Sequence, residues 1–417
     1  MKHIIISISA FLLLAVPKPV YSQEFWEVVD MPGVNTIYDI EITSSQRLMI
    51  SVKGDDGLGC IISGTYPDYN WDTVLYQGSL IEEILIDKYN NIYGVGDYTL
   101  FYSFDGGENW DSNTVDLMQM GTPSMYKLGS GKLLIGTWGG IILCDTIGTD
   151  YSFVETSPLS EVFNDFQYNF DSTILYAGST CFSDNSGGIY CSYDDGLSWE
   201  NAALYGSYIS SLSMNNDGDI FAGSQGHFTQ GIGGVYRLLF GEDEWEHINA
   251  DEIVSSIDIG TNNDIYIGCT LMGWPGGVRV SYDNGFSWDI INDGFNAPDI
   301  VGLFLSEYIY AIESGPPHTF YKSTEPVVSS IDKEICFNSS LMVKACPTPF
   351  NNQLSIFIDA SLKSTYLSIL NCNGEIIYNG YINQTINIDT SNLPSGIYYC
   401  IIQSFNSLIL KKLIKCK

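Results

Sequence analysis

The chain has 417 residues, with 17 Lys or Arg against 49 Asp or Glu, for a net charge of −32. A body this acidic repels nucleic acid and anionic lipid, and neither is expected as a partner. Ten Cys are scattered without a Cys-x-x-Cys pair or a Cys/His cluster of zinc spacing, so no metal is expected.

Met1-Lys2-His3 leads into an apolar stretch from Ile4 to Val16, and Val20-Tyr21-Ser22 supplies a cleavage pattern. Residues 1–22 read as a secretory signal peptide cut before Gln23. Their apolar core is too short for a good bilayer crossing, so no integral membrane span is expected. Phe25-Trp26-Glu27-Val28-Val29 follows as a lone strand.

A repeat of roughly 43 residues then runs to about residue 325, in the range of a four-stranded propeller blade. Its earlier half is a hairpin, as in Ile84–Asp87 with Ile92–Val95, Leu212–Met214 with Ile220–Gly223, and Ile257–Ile259 with Ile265–Gly268. Its later half carries Ser-x-Asp-x-Gly-x-Ser/Asn-Trp three times. The copies are Ser103, Asp105, Gly107, Asn109, Trp110; Ser192, Asp194, Gly196, Ser198, Trp199; and Ser281, Asp283, Gly285, Ser287, Trp288. The Asp suits a carboxylate accepting N–H bonds across a tight turn, the Gly a positive-φ position, and the Trp packing between units. Degenerate copies surround Trp71, Phe153 and Trp245. Seven units are counted. The last, ending Phe320-Tyr-Lys-Ser323, lacks an outer strand, which Phe25–Val29 is expected to supply, closing the ring. The expected fold is all-β: a seven-bladed β-propeller over residues 23–325, then a small C-terminal β-sandwich.

The motif resembles the Asp-box (BNR) repeat of a family of β-propellers. The resemblance implies a structural role for the twelve Ser, Asp, Gly and Trp residues named, on the rim of one face. It implies ligand sites on the opposite face, in loops joining second and third strands. Those loops hold Tyr98, Trp138, His227, Phe228, Trp274 and His318, whose flat rings suit sugars or peptide side chains. Packing of loops against blades is the plain alternative. Sialidases in this family use an Arg-Ile-Pro motif that is missing here, and Arg47, Arg237 and Arg279 are the only arginines.

Residues 326–342 read as a linker and 343–417 as a second all-β unit of about +3 charge. Cys346-Pro-Thr-Pro-Phe-Asn351, Asn371–Gly374, Leu393–Tyr398 and Lys411–Lys415 occur in order. Together they resemble the type A C-terminal sorting domain of the type IX secretion system of Bacteroidetes. That resemblance implies a β-sandwich serving as an export address, with the secretion machinery and a sortase as partners. It also implies a secreted or outer-membrane surface location after periplasmic transit.

No Ser-His-Asp set, phosphate loop or EF-hand can be assembled. No catalytic residue is assigned and no cofactor expected. The leading reading is a binding protein for a glycan or protein ligand. A glycoside hydrolase with two mouth carboxylates and a purely structural surface protein are the alternatives. The Cys181/Cys191 hairpin leaves a disulfide open.

Overall fold

In the computed structural model, residues 24–326 are described apart from 77, 79, 116–123, 156–160, 182–185, 227–232, 249–251 and 271–275. Residues 343–415 are described apart from 347–352, 359–364, 372–375, 383–384, 395 and 405–406. Every regular element among them is a β-strand. Seven four-stranded antiparallel sheets form the blades of a propeller. Their innermost strands are Val34–Ile42, Glu83–Ile86, Ser124–Lys127, Glu161–Tyr168, Ile209–Met214, Val254–Ile259 and Ile300–Leu305, numbered here as blades 1 to 7.

Burial follows position within the blade. Second strands such as Ile92–Gly96, Leu133–Thr137 and Ile265–Cys269 are buried throughout. Fourth strands such as Asp111–Thr114 and Glu200–Ala203 are mostly exposed. A strand in the middle of a blade is covered on both faces by neighbouring blades, so it reads as a continuous apolar run rather than an alternating one. The apolar core is accordingly divided into seven clusters, one in each seam between blades. The seam of blades 1 and 2, for example, joins Met49 and Ile61 to Ile84, Ile92 and Phe101. Glycine near the end of a second strand lets the next blade approach. A Cβ on Gly178 would lie 2.6 Å from Ile209 of blade 5, and one on Gly223 would lie 2.8 Å from Val254 of blade 6.

The ring closes as the sequence predicts. Trp26, Glu27 and Val28 pair with Ser323, Lys322 and Tyr321, so the first strand of the chain becomes the fourth strand of blade 7. Trp26 is buried, donates its indole N–H to the Ile291 carbonyl at 2.5 Å and stacks on Phe295 at 4.7 Å. Lys322 is 1% exposed. Its ammonium lies 2.9 Å from Glu27 and 3.8 Å from the ring centroid of Tyr308, with Tyr66 of blade 1 also within 4.5 Å. A cation taken out of water is tolerable only with such partners.

The C-terminal unit has a three-stranded sheet (Val343–Cys346, Gln353–Ile358, Thr385–Asp389) and a four-stranded one (Ile376–Ile382, Thr365–Asn371, Gly396–Ser404, Ser407–Lys415). Leu354, Ile356, Leu367, Ile369, Ile388, Tyr398 and Cys400 form its core. Parts of the opening and mid-domain motifs, at 347–352 and 372–375, lie outside the described residues. Cys181 and Cys191 are buried on the second and third strands of blade 4 and are not disulfide-bonded, so the bridge left open by the sequence is not formed.

All eight Trp precede residue 289, so Trp fluorescence reports the propeller alone. Trp26→Ala should destabilise it by about 3–5 kcal/mol, the cost of emptying a well-packed aromatic site. Val28→Ala, on the same strand but 58% exposed, should shift it by no more than about 0.5 kcal/mol. Urea melts of the two variants test this; equal shifts would mean the closing strand is not anchored through Trp26.

Candidate functional site

Two features of the ring carry chemistry: the turns at the outer rim of one face and the polar lining of the axis. In the first turn Ser103 Oγ donates to Asp105 Oδ1 at 2.8 Å and accepts the Gly107 N–H at 2.8 Å. Asp105 also accepts from the Asn109 backbone at 2.9 Å and side chain at 2.8 Å. These bonds, the Asn109 N–H foremost, hold its carboxyl down to about 2. Blade 4 repeats the set through Ser192, Asp194, Gly196 and Ser198, and blade 6 through Ser281, Asp283, Gly285 and Ser287. Gly107, Gly196 and Gly285 sit at φ +92°, +85° and +87°, a left-handed conformation costly for any residue with a Cβ. Trp110, Trp199 and Trp288 each join the apolar seam with the preceding blade. The turns are therefore satisfied internally.

At the axis, the innermost strands of blades 4 to 7 each carry a bulge. In blades 4, 5 and 6 the bulged residue reaches into the next blade. Asn164 donates to the Ile209 carbonyl at 2.6 Å, Ser210 to Val254 at 2.7 Å and Ser255 to Ile300 at 2.6 Å. The innermost strands also carry carboxylates: Asp39 and Glu41 in blade 1, Glu83 in blade 2, Asp165 directly after Asn164 in blade 4 and Asp258 in blade 6. Each Asp bridges two blades. Asp39 accepts N–H bonds from Ile40 at 2.8 Å and Ile84 at 2.7 Å. Asp165 accepts from Phe166 and Leu212, both at 2.7 Å, and Asp258 from Ile259 at 2.8 Å and Leu305 at 3.0 Å.

These side chains are only partly accessible to water, in a narrow channel ringed by protein. Water touches them but bulk solvent does not surround them, and the second fact governs their titration. Burial, with Asp165 nearby, pushes Asp39 up to about 7. Burial pushes Asp165 and Asp258 up to about 6, with Asp258 adding to the effect on Asp165. Glu41 and Glu83 are raised well above the ordinary value, first by burial and then by Asp39. A cavity of about 530 Å³ opens from this region toward the turns at Thr43–Gln46 and Ser306, lined by Asp39, Glu41, Glu83 and Asp258. Those turns share a face with the motif turns: Arg47 donates to the Gly106 carbonyl at 3.4 Å, and Asn215 to Asn284 at 3.3 Å. Among the described residues no three His, Cys, Asp or Glu side chains, these carboxylates included, are placed to hold one metal ion together.

Of the residues expected to bind ligand, Tyr98, Trp138 and His318 lie toward the opposite face, at turns between second and third strands. Tyr98 and Trp138 are exposed, at the turns between second and third strands of adjacent blades 2 and 3. Trp138 also bridges to Val162 of blade 4. His318, in blade 7, is half-buried, and its Nδ1 accepts the Ile37 N–H of blade 1 at 3.2 Å. Burial holds its pKa below the ordinary value, so its ring is neutral and ties two blades together. His227, Phe228 and Trp274 lie outside the described residues.

Residues 344–416 match the family described as the secretion system C-terminal sorting domain. No curated protein matches the chain. Among solved structures, PorZ of Porphyromonas gingivalis, a surface component of the type IX secretion system, aligns at 11% identity and a TM-score of 0.52. The alignment covers 93% of this chain and 60% of PorZ. YCF48, solved bound to D1 peptide, aligns at 13% identity and a TM-score of 0.55, over 74% of this chain and 98% of its own. The extracellular domain of BT3049, a putative hybrid two component system of B. thetaiotaomicron, aligns at 11% identity and a TM-score of 0.54, over 94% and 57%. Likeness at these identities is one of fold.

The titrations bound the pH of greatest stability. Between pH 3.8 and about 6 to 7, folded Asp165, Asp258 and Asp39 keep protons that the unfolded chain has lost, so stability falls as pH rises through that window. Asp105 acts oppositely: its contribution is present above pH 3.8 and lost as pH falls toward 2. His318 also opposes the main trend, below pH 6.5, as one imidazole against five carboxyls. Melts followed by Trp fluorescence should place maximum stability between about pH 4 and 6, with a decline to pH 8. A melting temperature that rises from pH 5 to 8 would contradict the channel assignment.

Proposed function

We propose that the chain is an exported Asp-box propeller that binds a ligand at the cell surface or in the medium without transforming it. In this reading residues 1–22 are a signal peptide, 23–325 the propeller, 326–342 a linker, and 343–417 an address read by the type IX machinery and removed by a sortase. The observation that carries the reading is the match of residues 344–416 to a sorting domain, in a chain whose remainder is a closed seven-bladed ring. An address of this kind implies a cargo that works outside the cell.

Binding is supported by the surface. Aromatic side chains stand exposed at turns that need only polar residues, among them Tyr98 and Trp138, and rigid aromatics supply contact area at small entropic cost. His227, Phe228 and Trp274, which the sequence assigns to loops of the same kind, remain candidates. A binding role also fits the channel, whose Asp oxygens are already engaged by backbone N–H groups. PorZ as a surface component and YCF48 with a bound peptide offer the same kind of use for the fold.

Deleting residues 343–417 should leave a folded propeller in the periplasm of a type IX-competent host. The deleted segment, fused to a foreign periplasmic protein, should carry it outside. Cell fractionation by immunoblot reads both. Normal release of the truncated chain would sink the export reading, and a screen of the full chain against glycans and surface-protein peptides that finds no ligand would sink the binding one.

A further inference from the structure

The motif turns leave two positions outside their own hydrogen-bond set, the x of Ser-x-Asp and the x of Gly-x-Ser. In blades 4 and 6 these are Tyr193, Leu197, Tyr282 and Phe286, and they are 65%, 61%, 50% and 52% exposed. Blade 5, between them, presents the exposed Phe240 at its corresponding turn. All lie on one face of one arc of the ring. Nothing in the turn hydrogen bonding requires an apolar group at these places, and water disfavours a concentration of such groups.

The charge of the arc is one-sided. Residues 161–290, which make up blades 4 to 6, contain 19 Asp and Glu, two Arg and no Lys. Both Arg are spent within the ring. Arg237 is 3% exposed and paired with Glu246 at 2.5 Å, and Arg279 is 11% exposed and paired with Glu252 at 2.7 Å. Arg237 also lies over the Phe286 ring at 5.2 Å from its centroid, so an aromatic of this arc already takes a guanidinium on one side. Asp194, Asp195 and Glu200 are exposed beside Tyr193, and Asp289 beside Tyr282 and Phe286. Aromatic faces set among carboxylates, with no competing free cation, complement an extended cation.

We propose that the motif-turn face of blades 4 to 6 is a docking surface for a Lys/Arg-rich polypeptide segment of a partner protein. The basic side chains lie over the Tyr and Phe rings and pair with the flanking carboxylates. The axial carboxylates add to the field but make no contact that the proposal needs. This inference rests on the binding reading above and names the face and the partner chemistry.

The probe is a fluorescent, end-blocked decapeptide alternating Lys and Gly, with its acetyl-lysine counterpart, read by anisotropy against the full chain at 0.15 M salt. The Lys peptide should bind and the acetylated one should not. Tyr193→Ser with Tyr282→Ser leaves the net charge at −32 and alters only exposed positions, and should weaken binding at least tenfold with an unchanged melt. Tyr193→Leu with Tyr282→Leu, which keeps apolar area but removes the π-face, should also weaken it. Parental affinity in the Ser variant would show attraction by net charge alone and overturn the proposal, as would failure of the Lys peptide to bind. Loss of binding in Tyr98→Ser with Trp138→Ser instead would move the ligand to the opposite face. The proposal would then fail while the binding reading stood.

Discussion

The three-residue pairing of Trp26–Val28 with Tyr321–Ser323 is the contact on which the remainder of the ring depends. A propeller has no central core. Each apolar cluster is shared by two blades, and none is complete until its neighbour is in place. Removing the closing strand would expose two seams at once, because it contributes to both. Trp26 and Phe25 pack with blade 6 and 7 residues, including Tyr266, Val278 and Tyr321, and Val29 packs with blade 1 residues Ile37 and Ile40. The Glu27–Lys322 pair lies between these, with Tyr308 and Tyr66 over the ammonium. A half-exposed carboxylate thus satisfies a fully buried cation at the place where the two ends of the fold meet.

A closed ring creates a second problem at its axis, where innermost strands converge too steeply to pair with one another. Their backbone groups would be left without partners, which is costly away from bulk water. Polar side chains fill the gap. Asn164, Ser210 and Ser255 donate to carbonyls of the next blade, and Asp39, Asp165 and Asp258 accept its N–H groups. Carboxylates serve well because two oxygens can take one N–H from each blade. The cost is desolvation and mutual repulsion, relieved by holding protons at pH values where Asp is ordinarily ionised. The axis therefore trades charge for connectivity, and its acid–base behaviour is a by-product of joining blades.

Different physical signals make these parts legible to different degrees. The closing strand was readable because Phe25–Val29 stands apart from the repeat while the last unit lacks a fourth strand, and the two absences match. The turns were readable because Ser, Asp and Gly are required together for one hydrogen-bond set, which the structure reproduces three times. The axial carboxylates were not recognised. In a period-2 strand an Asp at the axis and an Asp in a turn occupy equally polar places, so Asp258 and Asp87 look alike. Aligning the innermost strands on their buried residues, Ile40, Ile84, Phe166, Leu212 and Ile257, separates them: Asp39, Glu83 and Asp165 fall one place before and Glu41 and Asp258 one place after, whereas Asp87 falls three places after Ile84. His318 illustrates the converse: a histidine in a loop between strands reads as a ligand group, and only the Ile37 N–H on its Nδ1 reveals a joint between blades.

A turn that satisfies its own polar groups is rigid and indifferent to what stands at its remaining positions. The Ser-x-Asp-x-Gly turn spends its Ser, Asp and Gly on closing the loop and its Trp on the seam, leaving two positions on a fixed backbone outside its hydrogen-bond set. The hydrogen bonds of the turn do not choose those residues. Blade 2 has Phe104 and Glu108 there, with Glu108 lying 3.6 Å from Arg47 of blade 1, whereas blades 4 and 6 have Tyr193, Leu197, Tyr282 and Phe286. The same hydrogen-bond scaffold therefore displays an exposed aromatic at its first position in all three blades, and at its second an ion pair to Arg47 in blade 2, an exposed Leu in blade 4 and a ring under Arg237 in blade 6. Where the scaffold is constant and the displayed groups differ, the difference is set by what they meet, an arginine of the preceding blade at Glu108 and Phe286 and water at Leu197, and not by the turn itself.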